Sequence, residues 1–391
     1  YEVYVEMMYA FEEQYPELCK VSSIGTTING RELLVAKITD HLDAEEGEPR
    51  LLYTSSMHGD EITGFVLSLR LIDYLINNYG LDDRVTEIVN NVEIWINPLA
   101  NPDGAYTNNN STVYGATRYN ANWVDLNRNY PDPEDGLHPD GNLYQSETLA
   151  FMDFADSCAF DISSNFHGGA EVANYPWDTW SQYPADYDWW IHVMHEYADL
   201  AQENSSSNYF TSFDEGVTNG FDWYEVNGGR QDYMNYEKHC REFTLELSDS
   251  KTPPGSELPY YWDANYNSFL AYIEQSLYGL HGIVTDSITG EPLLAQIFSN
   301  SVSPRIQMGL IILCYGPIRM TACLFTALGF RIISKHFLCR FLAKPLSQRG
   351  YLSPYVVYFQ LFFYTGSPLN SQVDNLLLSW PPFYLPPPYL P

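Results

Sequence analysis

An apolar run, Leu51-Leu52-Tyr53, leads through Thr-Ser-Ser-Met into His58-Gly-Asp-Glu61, and a helical repeat starts at once. Ile62, Phe65, Val66, Leu69, Ile72 and Ile76 recur at the spacing of one helix face, so the stretch reads as strand, glycine-containing turn and helix. Such a junction exposes its loop at the carboxyl edge of a sheet, where open α/β folds place ligands. The chain is thereby constrained to a sheet with helices packed on it, carrying an imidazole and a carboxylate at the sheet edge. Catalytic zinc takes three protein ligands of this kind and keeps a fourth position for water. Alone, His-x-x-Glu occurs on many solvated turns and decides nothing.

A second strand end, Asp161-Ile-Ser-Ser-Asn-Phe-His167-Gly-Gly, supplies a third candidate. His58, Glu61 and His167 together have the composition of a zinc peptidase site. Glu246 stands out for a different reason. It interrupts Glu242-Phe-Thr-Leu-Glu-Leu247, an otherwise β-rich apolar run. A carboxylate in a buried strand is costly unless it is paired or bound to something. The plain alternative is an edge strand with Glu246 facing water.

The rest of the chain supports one large α/β domain. Glu2 to Tyr15 has helical spacing and is closed by Pro16; Val21–Ile24 and Leu33–Ile38 are strands joined by an Ile-Asn-Gly-Arg turn. Further strands are expected at 92–97, 161–166 and 242–247, and helices at 147–156 and 189–204. With 50 acidic against 19 basic residues, the net charge is −31, which argues against nucleic acid and suits cationic substrates. Six widely spaced cysteines show no Cys-x-x-Cys pattern, so neither a disulfide scaffold nor a structural zinc knot is expected. A Cys158–Cys240 bridge is not expected either, although both precede strands read as neighbours. The chain opens on Tyr1 without a visible signal peptide, as a processed or cropped product would.

Leu280 to Ile297 has a strand–turn–strand pattern, the opening of a small β domain. After Asn300 the composition changes abruptly. Residues 301–391 hold seven Lys/Arg and one acid, Asp374, and 11 of the 24 prolines. The run from Ile306 to Phe330 is broken by Arg319 and by proline, so it is a poor membrane segment, and membrane association is not expected. We read this tail as a sequence fault, such as translation in a shifted frame, without a defined fold.

Taken together, the residues resemble the zinc metallocarboxypeptidases, most closely the branch containing carboxypeptidases N, E and D. The resemblance runs over residues 1–279 and rests on HGDE (58–61), NPDG (101–104), TRYNANWVDLNRNYPD (117–132), FHGGAEVANYPWD (166–178), WYEVNGGRQD (223–232) and FTLELSDSK (243–251). It implies a mixed eight-stranded α/β sheet with helices on both faces, followed at 280–300 by the start of a transthyretin-like domain that breaks off. One Zn²⁺ held by His58, Glu61 and His167 is implied, with Asp125 orienting His58. The resemblance makes Glu246 the general base and sets Arg118 beside the oxyanion. It gives Asn127 and Arg128 the substrate's terminal carboxylate, and Tyr224 the role of a mobile cap. Asp178 and Gln231 fall where basic-specific members carry Asp and Gln, implying preference for C-terminal Arg or Lys. The implied activity is hydrolysis of the C-terminal bond of peptides or proteins, in a secreted or periplasmic setting. An inactive peptide-binding relative, an amidohydrolase acting on cell-wall peptides or N-acyl amino acids, and a broken gene product are the alternatives. Asp60 departs from the branch, which usually has Asn there.

Overall fold

The structure is a computed structural model. It describes residues 1–278 apart from 45, 206 and 207. The expected β-domain opening at 280–300 and the tail at 301–391 lie, except for the backbone of short strands, outside the described residues.

Helix α1 (Glu2–Gln14) precedes a hairpin of β1 (Cys19–Thr26) and β2 (Glu32–Ile38), paired antiparallel from Cys19↔Ile38 to Thr26↔Glu32. Gly30 makes the turn with φ +80°, a conformation that costs glycine little. Then come β3 (Arg50–Ser55), α2 (Thr63–Asn78), α3 (Asp83–Val89), β4 (Glu93–Asn97) and α4 (Pro102–Ala105). Asp82 caps α3 by accepting from the amides of Arg84 at 2.8 Å and Val85 at 3.1 Å. The second half holds α5 (Ser146–Cys158), β5 (Ile162–His167), β6 (Ala170–Tyr175), α6 (Tyr187–Glu203), β7 (Val217–Asn219) and α7 (Gly220–Trp223). It ends with α8 (Arg230–Tyr236), β8 (Arg241–Ser248) and α9 (Leu258–Gln275).

The eight strands form one mixed sheet in the order β1-β2-β4-β3-β5-β8-β6-β7. β4, β3, β5 and β8 run parallel to one another, β1 and β2 form an antiparallel edge, and β6 is antiparallel to β8. The alternation along β2 shows why both faces are covered. Leu34 and Ala36 join the core beneath α1, α2, α6 and α9, while Leu33 and Val35 join the core under α5 and α8. α6 and α9 lie together on the first face, where Ser268 Oγ donates to the Tyr197 carbonyl at 2.9 Å.

This topology settles where the anomalous carboxylate sits. β8 lies between β5 and β6, so the edge-strand reading of Glu246 is wrong: the strand is central and buried from Glu242 to Ser248. The parallel register pairs His167 with Glu246. Cys19, Cys158 and Cys240 are free thiols. No helix among the described residues is long and apolar enough to cross a membrane.

Candidate metal centre and active site

At the carboxyl ends of β3 and β5 three side chains converge. His58 Nδ1 lies 3.0 Å from Glu61 Oε2, His167 Nδ1 lies 2.8 Å from the same oxygen, and the two Nδ1 atoms are 3.0 Å apart. All three residues are buried. The far nitrogens of both rings face acceptors: His58 Nε2 meets Asp125 Oδ1 at 3.1 Å, and His167 Nε2 meets Asn165 Oδ1.

That arrangement calls for a cation. A neutral imidazole carries one N–H, and here both N–H groups are drawn to Nε2 by the acceptors behind them. Two Nδ1 lone pairs and a carboxylate oxygen then face one another at contact distance. Tetrahedral zinc with bonds of about 2.0–2.1 Å needs ligand atoms about 3.3 Å apart, close to the observed triangle. His, His and carboxylate are zinc ligands, so the residues fit the ion.

The surroundings complete the cluster. Asp125 begins the short 3₁₀ turn Leu126–Arg128 and accepts from the Asn127 amide at 2.9 Å and from Arg118 Nε at 2.8 Å. Burial alone would raise its carboxyl. Bonding and charge from His58, then the Arg118 and Arg128 guanidiniums, hold it well below the usual range instead. Arg118 Nη1 stands 3.2 Å from His58 Nδ1, which puts a fixed cation at the centre. Lys251 Nζ donates to Glu61 Oε1 at 2.7 Å and lies 3.8 Å from Asp60 Oδ1. The extra acid of HGDE therefore faces Lys251 beside the ligand triad.

Glu246 faces this centre from β8. It is 9 % exposed, and its Oε2 has no hydrogen-bond partner among the described residues. Burial, and after it the negative charge of Glu61, pushes the carboxyl up to about 8. In the metal-free protein this carboxyl keeps its proton at neutral pH, and a cation bound beside it would lower it into the range where it can accept one.

A second buried group is built around Asp178. Asp178 Oδ1 accepts from Gln231 Nε2 at 2.9 Å and Asn174 Nδ2 at 3.2 Å, and Gln231 Oε1 accepts from the Thr244 amide at 2.7 Å. Burial pushes Asp178 up to about 7. A Cβ at Gly229 would stand 3.6 Å from Asp178 Oδ2 and 3.7 Å from Asn127 Oδ1, so Asp178 and Asn127 border the same space. The Arg128 guanidinium favours the charged forms of both Asp125 and Asp178, and its Nη1 donates to the Asn127 carbonyl at 2.8 Å. Tyr224 ends α7, is exposed, and feels the charges of Glu246, Arg128, Asp178 and Arg118. The structure thus brings His58, Glu61, His167, Asp125 and Arg118 into contact, sets Glu246 in register with His167 and bonds Asp178 to Gln231, while Tyr224 is exposed. Sequence reasoning assigned no role to Lys251, Asn165 or the Arg230–Glu242 pair. Asn165 was within reach, since it lies two residues before His167 and on the same strand face.

Gly220 shows how tightly the group around Asp178 is packed. A Cβ there would collide with Asp178 Oδ1 and come within 3.0 Å of Asn174 Oδ1. If Asp178 pairs with a basic side chain, as the sequence resemblance implies, Gly220→Ala is expected to displace it and lower kcat/KM for C-terminal Arg about 10-fold or more, with little change for C-terminal Leu. Kinetics on the paired peptides would reveal it, and an equal loss on both substrates would refute the assignment.

Known proteins place this geometry. A family model described as zinc carboxypeptidase matches residues 4–268. The chain belongs to the zinc carboxypeptidase family. It is 36 % identical over 300 residues to carboxypeptidase D of Homo sapiens, covering 73 % of this chain and 21 % of that one. It is also 36 % identical over 296 residues to carboxypeptidase M of Mus musculus (72 % and 66 %), and 32 % identical over 324 residues to the human carboxypeptidase N catalytic chain (73 % and 70 %). The match thus spans about a fifth of the length of carboxypeptidase D. Among solved structures, thrombin-activatable fibrinolysis inhibitor superposes with a TM-score of 0.60 at 17 % identity, covering 70 % of this chain and 72 % of that one. Carboxypeptidase A from Helicoverpa armigera gives 0.57 at 19 %, covering 68 % and 69 %. These two share the fold with this chain.

Proposed function

We propose that this chain is a zinc-dependent exopeptidase that removes the C-terminal residue of peptides or proteins and prefers Arg or Lys there. We take 1–279 as the catalytic domain, 280–300 as the start of a transthyretin-like domain, and a secreted or periplasmic setting. The observation that carries the reading is the convergence of three lone pairs beside an unpartnered, buried Glu246.

Zinc, when bound at His58, Glu61 and His167, supplies Lewis acidity and a nucleophile near neutral pH. Glu246 takes a proton from the attacking water and passes it to the leaving amine. Arg118, held through Nε by Asp125, places its positive charge where the oxyanion develops. Arg128 and Asn127 hold the substrate's terminal carboxylate, since a planar guanidinium gives it two parallel hydrogen bonds. That clamp restricts cleavage to the last bond. Tyr224, exposed at the rim, closes over bound substrate, and Asp178 pairs with a basic side chain while Gln231 holds it in place.

The test is release of C-terminal Arg, Leu and Glu from matched peptides, with and without a chelator. We expect Arg released fastest and all release abolished by the chelator. Equal release of Leu would sink the basic pocket. Zinc binding without any release would make the chain a peptide binder, and release from N-acyl amino acids alone would make it an amidohydrolase.

A further inference from the structure

Below the metal centre the buried sheet face is polar where a core is ordinarily apolar. β5 presents Ser163, Asn165 and His167, β8 presents Glu242, Thr244 and Glu246, and the register pairs them one to one. At the foot of this column lies an ion pair: Arg230 Nη2 and Glu242 Oε2 are 2.6 Å apart, with the residues 1 % and 0 % exposed. A pair so deeply buried is weak evidence for stability, because desolvation offsets most of the attraction. Its position suggests another role.

The pair touches every strand that delivers a metal ligand or the general base. Arg230 Nη1 donates to Thr54 Oγ1 on β3, and Glu242 belongs to β8. From β5, Ser163 Oγ donates to Glu242 Oε2 at 2.6 Å and Asn165 Nδ2 to Glu242 Oε1 at 2.9 Å. A carboxylate facing a guanidinium accepts hydrogen bonds only. It therefore takes the NH₂ end of the Asn165 amide and turns the oxygen end toward His167. That oxygen meets His167 Nε2, so the ring keeps its proton at Nε2 and leaves the Nδ1 lone pair toward Glu61 and His58. The same arginine reaches the substrate pocket. Its main-chain amide donates to Asn127 Oδ1 at 3.0 Å, and the next residue, Gln231, holds Asp178.

We propose that the Arg230–Glu242 pair is a positioning device for the zinc site, which orients Asn165 so that Asn165 fixes the tautomer and ring of His167. The proposal rests on the zinc-peptidase reading above and adds to it residues that never touch the ion or the substrate. Partners behind a metal-bound histidine are worth about 10- to 100-fold in metal affinity.

The test removes both charges together, since removing one would strand the other in the core. Arg230→Met/Glu242→Leu replaces the pair by apolar groups of similar size. Arg230→Met/Glu242→Gln keeps the shape of the carboxylate, but an amide donates as well as accepts and so no longer dictates which end of Asn165 faces it; this variant guards against misfolding of the first. Zinc affinity of the metal-free protein is measured by competition with a chromophoric chelator, and the visible absorption bands of the Co²⁺-loaded protein report ligand geometry. We expect folded variants with zinc affinity about 10- to 100-fold weaker and shifted Co²⁺ bands. Either variant, folded and with wild-type affinity and bands, overturns the proposal. Wild-type protein that binds no zinc would instead overturn the peptidase reading, so the two failures are distinguishable.

Discussion

Replacing Glu246 by Gln is expected to lower kcat by about 10²- to 10⁴-fold while zinc stays bound. The substitution is nearly isosteric, and Oε2 has no hydrogen-bond partner to lose among the described residues. The three ligand atoms belong to other side chains, so metal content should match wild type. What disappears is the only carboxylate in register with His167 that is free to accept a proton. The metal-free protein offers a second reading of the same group. Its folded-state value, about 8, lies above the ordinary 4.5, so the native state holds a proton that the unfolded chain has already released. This contribution is full below pH 4.5 and is lost as pH rises toward 8. Metal-free Glu246→Gln should therefore gain stability over metal-free wild type as pH is raised through that window, in urea titrations at several pH values. A variant that keeps its activity within about 10-fold would remove Glu246 from the chemistry. One that loses its zinc would make Glu246 a ligand.

Much of this was legible in the sequence because the informative residues sit next to one another in the chain. The turn after β3, the end of β5 and the Asp125-Leu-Asn-Arg128 segment each carry their chemistry on a short local stretch, and α2 announces itself by period. The missing elements include one long helix, α9 (Leu258–Gln275), which went unread although it is rich in apolar residues, and several that are short or diluted. β6 begins after Gly168-Gly169 and contains Glu171 and Asn174, and α7 has only four residues. What no local pattern could supply was pairing across the fold. Lys251 lies 190 positions from the Glu61 oxygen it holds, and the side-chain partners of Arg230 sit on two different strands, β3 and β8. Glu246 was the instructive case: the residues showed the anomaly, and only the family resemblance implied its cause, a strand next to that of His167. The sheet order, with β8 between β5 and β6, agrees with that adjacency and rules out a water-facing edge.

Asp178→Asn should lower kcat/KM for a C-terminal Arg peptide by about 10²- to 10³-fold and leave a Leu peptide nearly unchanged. Truncating one side of a desolvated charge pair costs about 2–5 kcal/mol, and each 1.4 kcal/mol is about tenfold. Both side-chain donors on Asp178, from Gln231 and Asn174, fall on Oδ1, and Oδ2 borders the space beside Gly229 and Asn127. Asn keeps that shape and loses the charge, which separates electrostatics from packing. The pH dependence of wild type gives an independent check. Burial pushes Asp178 up to about 7 in the free protein, so below that pH the carboxyl is neutral and offers a guanidinium no counter-charge. The kcat/KM ratio of Arg to Leu peptides should therefore rise as pH increases through about 7. Glu246 and the metal centre titrate identically for both peptides and cancel in the ratio, which leaves the pocket carboxylate as the group being read. In Asp178→Asn the ratio should be low and flat with pH. A ratio that stays high and still climbs in that variant would mean that another acid forms the pocket floor.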